Sequence, residues 1–157
     1  MMLDRIDLIR DERTNLRAQG VMTPHILLIE DNLSDIELIQ TAFEEADLLA
    51  KFTVIRDGEE AINHIIQLAA AGTPIPDLII LDLNLPRASG HDVLAEIRKN
   101  NAFSSMPVLV LSTSNHPLDR KRCFAAGATD YFVKPPHFED LLALVNVISQ
   151  RFLKISS

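Results

Sequence analysis

The 157 residues suffice for one domain with a short appendage. With 47% hydrophobic residues they can also build a sizeable core. A net charge of −7 argues against phosphate-driven binding to nucleic acid or anionic lipid, which needs a basic footprint. The single cysteine, Cys123, excludes an internal disulfide and a thiolate zinc cluster, and fits a reducing compartment. No apolar run approaches the roughly 18 residues that span a bilayer. The stretch from Met1 to Gly20 alternates charge with apolar residues, unlike a signal peptide. The expectation is an acidic, soluble, cytoplasmic domain.

Five short apolar runs recur in chain order. They are Ile26–Ile29, Phe52–Ile55, Leu78–Leu81, Val108–Leu111 and Tyr131–Val133. The first, third and fourth are unbroken aliphatic tetrads, the pattern of strands buried on both faces in a parallel sheet. Thr53 in the second suits a less protected edge. Helical patterns fill the gaps between the runs. Ile36, Ile39, Phe43 and Ala46 form one stripe behind Ser34-Asp35-Ile36-Glu37, which has capping-box spacing. Ala61, Ile62, Ile65, Ile66 and Ala69 form a second behind an Asp57 cap. Val93, Leu94 and Ile97 mark a third, and a fourth runs from near Pro117 to Gly127. Phe138, Leu141, Val145, Ile148 and Phe152 mark the fifth. Alternating strands and helices with right-handed crossovers make a doubly wound, open α/β sheet with helices on both faces.

Residues 1–22 stand apart from the domain at 23–157. Met2, Ile6, Ile9 and Leu16 have heptad-like spacing, but two interrupted heptads are too few for a coiled coil. Two readings stand for this extension: a frayed amphipathic helix, or translation that begins at Met22.

In open parallel sheets, ligands bind beyond the carboxyl ends of the strands. The first run ends in Glu30-Asp31, the third in Asp82, the fourth in Ser112-Thr113 and the fifth in Lys134-Pro135. Each alone has a plain structural reading as a helix cap, a turn or a solvated side chain. Four strands delivering polar groups to one edge of the sheet point instead to a site. Glu30, Asp31 and Asp82 bring three negative charges together and Lys134 offsets one, so a hard divalent cation with oxygen ligands, Mg²⁺, suits the remainder. The five histidines lack zinc spacing.

The set Glu30-Asp31, Leu81-Asp82-Leu83-Asn84-Leu85-Pro86 with Gly90, Ser112-Thr113 and Tyr131-Phe132-Val133-Lys134-Pro135 resembles the receiver domain of two-component response regulators. The resemblance covers residues 24–153. It implies a flavodoxin-like fold with strand order 2-1-3-4-5. Ile29-Glu30-Asp31-Asn32, the Asp82–Pro86 string and the long Gln67–Pro76 connection resemble stand-alone receivers that partner phytochrome-type histidine kinases.

The resemblance implies residue roles. Asp82 would be the phosphoacceptor, attacking a kinase phosphohistidine to give an acyl phosphate. Asp31, Asp82 and the backbone carbonyl of Asn84 would ligate Mg²⁺, and Glu30 would act through water. Lys134 would hold a phosphoryl oxygen, aimed by a cis Lys134–Pro135 peptide. Ser112 would move to bond the phosphoryl group, and Tyr131 would swing inward behind it. Such a protein is a phosphoacceptor that gains and loses its own phosphoryl group, not an enzyme. Nothing follows Phe152 but Leu153–Ser157, so output by contact with a downstream protein is expected.

Two other classes can be weighed. A haloacid-dehalogenase-type phosphatase needs a second aspartate two residues after its nucleophile, where this chain has Asn84. A phosphorylation-independent interaction module of the same fold would not need the full acidic set. Leu142, Leu144 and Val147 lie outside the core stripe of the last helix, and with Tyr131 they suggest a homodimer through the face formed by the last two helices and the last strand.

Overall fold

The computed structural model describes residues 23–72 and 74–153. The expectations for residues 1–22 lie outside them. Five strands alternate with five helices: β1 (His25–Ile29), α1 (Leu33–Glu45), β2 (Lys51–Ile55), α2 (Gly58–Ala71), β3 (Leu78–Leu81), α3 (Gly90–Lys99), β4 (Val108–Ser112), α4 (Pro117–Ala125), β5 (Asp130–Val133) and α5 (Phe138–Ile148). All strand pairs are parallel and the order is β2-β1-β3-β4-β5, as the sequence pattern and resemblance imply.

The aliphatic tetrads become the centre of the sheet because alternate side chains face opposite layers. Leu27, Ile29, Ile79, Leu81, Val108 and Val110 pack with Ala61, Ile65, Val93, Leu94, Ile97 and Cys123, under α2, α3 and α4. Ile26, Leu28, Ile80, Leu109 and Leu111 pack with Ile36, Ile39, Phe43, Leu141, Val145 and Ile148, under α1 and α5. β3 and β4 are buried along their whole length, whereas β2 leaves Lys51 exposed and Phe52, Thr53 and Val54 half-buried at the sheet's margin. The helix stripes hold with one exception. Ile66 is exposed, so the buried arc of α2 is narrower than its sequence stripe.

The caps set where the loops turn. Asn32, not Ser34, caps α1, its side chain accepting from the Asp35 amide at 3.0 Å. The turn out of β1 ends two residues earlier than the capping-box spacing suggests, and Asp35 is thereby relieved of any capping duty. Asp57 caps α2 as expected, accepting from the Glu60 amide at 2.9 Å. Ser89 and Asp92 form a reciprocal capping box on α3.

Candidate functional site

The carboxyl ends of the central strands place the site. The sheet's hydrogen bonding runs one residue past the strands, from the Glu30 amide to Ile55 O (3.0 Å), from the Asp82 amide to Ile29 O (2.9 Å) and from the Lys134 amide to Ser112 O (2.7 Å). Glu30, Asp82 and Lys134 therefore start from backbone as fixed as the sheet itself. Gly90 holds the loop after β3 close: its amide donates to Leu83 O at 2.9 Å, and a Cβ there would overlap the Asp82 carbonyl oxygen.

Lys134 is the centre of the cluster. Its ammonium donates to Glu30 Oε2 and Asp35 Oδ2, both at 2.8 Å, and to Asp82 Oδ2 at 3.4 Å. Glu30 and Asp82 are buried, with 2% and 5% of their surface exposed. Burial pushes the Glu30 carboxyl up to about 7, against the hydrogen bonds it accepts from Lys134 and the Asn32 amide. Burial disfavours the Lys134 charge too, but hydrogen bonds to Asp35 and Glu30 and the attraction of Asp82 outweigh it and hold the amine firmly protonated.

Asp31 stands apart from this trio. Its side chain is half-exposed, with the Arg56 guanidinium 3.9 Å away, and Arg56 also donates to the Asp31 carbonyl at 3.0 Å. Among the described residues no three His, Cys, Asp or Glu side chains form a ready-made metal-ligand group. The donors available are nevertheless hard oxygens, and Asp82 Oδ1 is buried without a hydrogen-bond partner. A buried carboxylate oxygen left unpaired is costly, and a hard cation or a phosphoryl group is the chemistry that relieves it. The chemistry of the donor set thus fits Mg²⁺, and Asp31 would have to turn in from solvent to join it.

Ser112 is fully buried, and its Oγ accepts from the Ser114 amide at 3.2 Å. Tyr131 is also buried, and its hydroxyl donates to the Ser114 carbonyl at 2.7 Å. The ring is therefore already turned inward in this conformation, held by the same loop that carries Ser112. The Ser114 hydroxyl donates to Asp119 Oδ2 at 2.6 Å, which ties that loop to α4.

One expectation is corrected. The Lys134–Pro135 peptide is trans, since no cis bond occurs among the described residues. A trans X–Pro bond is the lower-energy form by ~0.5–1 kcal/mol, and in this backbone the ammonium already reaches all three of its carboxylates.

Asp35 is the site residue that the sequence reading missed. Its signal was hidden because an acid in the first turn of a helix has an ordinary explanation in the helix dipole. Only the packing of α1 beside α5 on one face of the sheet brings it to Lys134, 99 positions away.

A doubly wound sheet with a buried aspartate, a paired acid and a lysine at its carboxyl edge defines a receiver. The sequence matches the response regulator receiver domain family over residues 26–146, and the chain belongs to that family. Among individual relatives, it is 35% identical over 128 residues to the probable methanogenesis regulatory protein FilR2 of Methanothrix harundinacea, covering 82% of this chain and 83% of that protein. The solved structure of the phosphorylated cyanobacterial phytochrome response regulator RcpA superposes with a TM-score of 0.76 at 35% identity, covering 86% of this chain and 97% of that one. The Mn²⁺-bound form of the response regulator Rcp1, a protein of Synechocystis sp., gives a TM-score of 0.73 at 32% identity, covering 85% and 97%.

Proposed function

We propose that this receiver accepts a phosphoryl group on Asp82 from a phosphohistidine of a sensor histidine kinase. The observation that carries the reading is Asp82 itself: buried, with Oδ1 unpartnered and Oδ2 3.4 Å from the Lys134 ammonium. A carboxylate oxygen attacks phosphorus, the P–N bond to the donor imidazole breaks, and the imidazole leaves with a proton from solvent. Lys134 neutralises charge on the phosphoryl oxygens as the transfer proceeds. Asp31, Asp82 and the Asn84 carbonyl would hold Mg²⁺, with Glu30 acting through water; the ion, when bound, supplies further positive charge to those oxygens.

The acyl phosphate replaces one carboxylate charge by roughly −1.5 to −2 and adds strong acceptor oxygens. Ser112 would donate to them, and a shift of Ser112 would move the Ser114 loop to which Tyr131 is bonded. The signal would thus pass from Ser112 through Ser114 to Tyr131 on β5 and Asp119 on α4, along hydrogen bonds already present. Structural similarity to the cyanobacterial phytochrome response regulator RcpA supports a phytochrome-type kinase as partner; a cytoplasmic place of action and output by contact with a second protein belong to the same proposal.

Self-association is part of this reading. Leu142 and Leu144 are half-buried against the core, which shrinks the surplus expected on α5, but Val147, Phe124 and Val133 are 41%, 40% and 44% exposed. They lie on α5, α4 and the end of β5, and a homodimer through these elements would cover them. Val147→Glu with Phe124→Glu should then shift sedimentation to monomer without affecting phosphate acceptance; a parent protein that sediments as monomer with and without phosphate excludes the dimer.

The test of the main reading is labelling by acetyl phosphate with Mg²⁺, followed by intact mass. The parent should gain one phosphoryl group, and Asp82→Asn should gain none while keeping its fold, since the amide preserves shape but not nucleophilicity. Equal labelling of the two proteins would remove Asp82 from the role.

A further inference from the structure

We infer that Asp35 is a positioning residue that holds the Lys134 ammonium back from Asp82, and that a phosphoryl group must draw the ammonium off it. The inference rests on Asp82 being the phosphoacceptor. Lys134 bonds Asp35 and Glu30 at 2.8 Å each, but Asp82 only at 3.4 Å, so the residue that needs the cation during transfer holds it least closely. The two tight partners differ. Glu30 is buried and is itself fixed by the Asn32 amide, whereas the Asp35 side chain is 31% exposed and stands on the first turn of α1.

Asp35 has no other duty among the contacts of its carboxylate. The cap of α1 is made by Asn32, which accepts from the Asp35 amide and so fixes its backbone, not its side chain. Asp35, Lys134 and Pro135 border one open cleft with Leu38, Ile39 and Leu111. When a phosphoryl group on Asp82 offers oxygens to Lys134, the Asp35 carboxylate can therefore turn into solvent at little cost, and Glu30 cannot. Asp35 sets how readily Lys134 is released, and thus the rate at which Asp82 is phosphorylated.

The test uses five full-length proteins: parent, Asp35→Asn, Lys134→Gln, the double variant and, as the conservative control, Asp35→Glu. The initial rate of Asp82 labelling by acetyl phosphate and Mg²⁺ is read by intact mass. Asp35→Asn should label about three- to tenfold faster than parent, the range expected when one partly exposed charge-assisted hydrogen bond is lost. Asp35→Glu should stay near the parent rate, and in the Lys134→Gln background Asp35→Asn should change the rate less than twofold. An equal acceleration in both backgrounds would mean that Asp35 merely repels the anionic donor and would overturn the inference. So would a slower or unchanged rate with Lys134 intact in a parent that labels normally. If neither parent nor Asp35→Asn is labelled, the phosphoacceptor reading falls and the inference with it; labelling of Asp35→Asn alone would support both.

Discussion

Two ionic clusters sit at the same end of the sheet, one beyond β2 and one beyond β5, and they differ in balance. Beyond β2, buried Asp57 caps α2 and pairs with the Arg87 guanidinium from the loop after β3. The Glu60 amide and the Arg87 pairing hold its carboxyl below the usual aspartate range. Around it, the Gly58 amide donates to Pro86 O at 3.0 Å, and a Cβ on Gly58 would overlap the Ala88 carbonyl oxygen. That cluster is one acid for one base, with its backbone donors answered. Beyond β5, one ammonium serves three carboxylates, so acids outnumber the base. A balanced cluster clamps two loops; an unbalanced one keeps chemical demand for a cation or a phosphoryl group. The difference separates scaffold from site without reference to any relative.

The comparison breaks most visibly if Lys134 is removed. Lys134→Gln strands buried Glu30 and Asp82 without a counter-charge, and loss of one partner from such a cluster costs on the order of 3 kcal/mol. Urea unfolding in metal-free buffer at pH 8 should show that loss, and the deficit should shrink at pH 5, below the value of about 7 to which burial raises the Glu30 carboxyl. A deficit unchanged with pH would mean that the cluster is not charge-unbalanced. The next effect concerns the loop that carries the site. Gly90→Ala forces a Cβ against the Asp82 carbonyl, and overpacking of this kind costs roughly 1–3 kcal/mol. It should both lower the urea midpoint and slow labelling of Asp82, because the clash displaces the backbone of the proposed phosphoacceptor.

The architecture was legible because it depends on which faces are buried. Unbroken aliphatic tetrads between helical patterns mark central parallel strands, and Thr53 marked the edge that β2 occupies. The charged cluster was legible as far as its residues directly follow a strand: Glu30, Asp82 and Lys134 sit where the runs ended. Three things were not legible, and each depends on contact between segments distant in sequence. Asp35 looks like a capping acid until α1 and α5 are packed side by side. The pairing of Asp57 with Arg87 requires Arg87 to adopt a left-handed φ of 68°, which nothing around it in sequence announces. The inward ring of Tyr131 is a third case, since its orientation follows from one hydrogen bond to a loop carbonyl.

The balanced cluster makes a prediction of its own, smaller than the first two. Asp57→Ala removes a helix cap, worth roughly 0.5–2 kcal/mol, and frees an Arg87 side chain that is already mostly exposed. The urea midpoint should fall accordingly, yet Asp82 should still label to the parent's extent. If labelling failed outright in a folded Asp57→Ala protein, the cluster beyond β2 would belong to the site and the distinction drawn here would be lost.

The smallest expected effect lies between α3 and α4, where a third ionic contact approaches the switch loop. His91 Nε2 is 3.7 Å from Asp119 Oδ1, and its Nδ1 is 3.9 Å from Cys123 Sγ. Burial lowers the affinity of His91 for a proton, the nearby Arg122 charge lowers it further, and the attraction of Asp119 only partly compensates. The folded state therefore binds this proton more weakly than the unfolded chain, whose histidine titrates near 6.5. Stability contributed by neutral His91 is present above about pH 6.5 and is lost as pH falls through the lower folded value. His91→Gln removes that dependence, while His25 and Glu30 lie outside this contact and their contributions cancel in the comparison. Between pH 7.5 and 5.5 the urea midpoint of the parent should drop by more than that of His91→Gln. A steeper drop in the variant would mean that Asp119 holds His91 as a cation. The contact would then be a balanced ion pair like that beyond β2, linked through Asp119 and the Ser114 hydroxyl to the loop that carries Ser112.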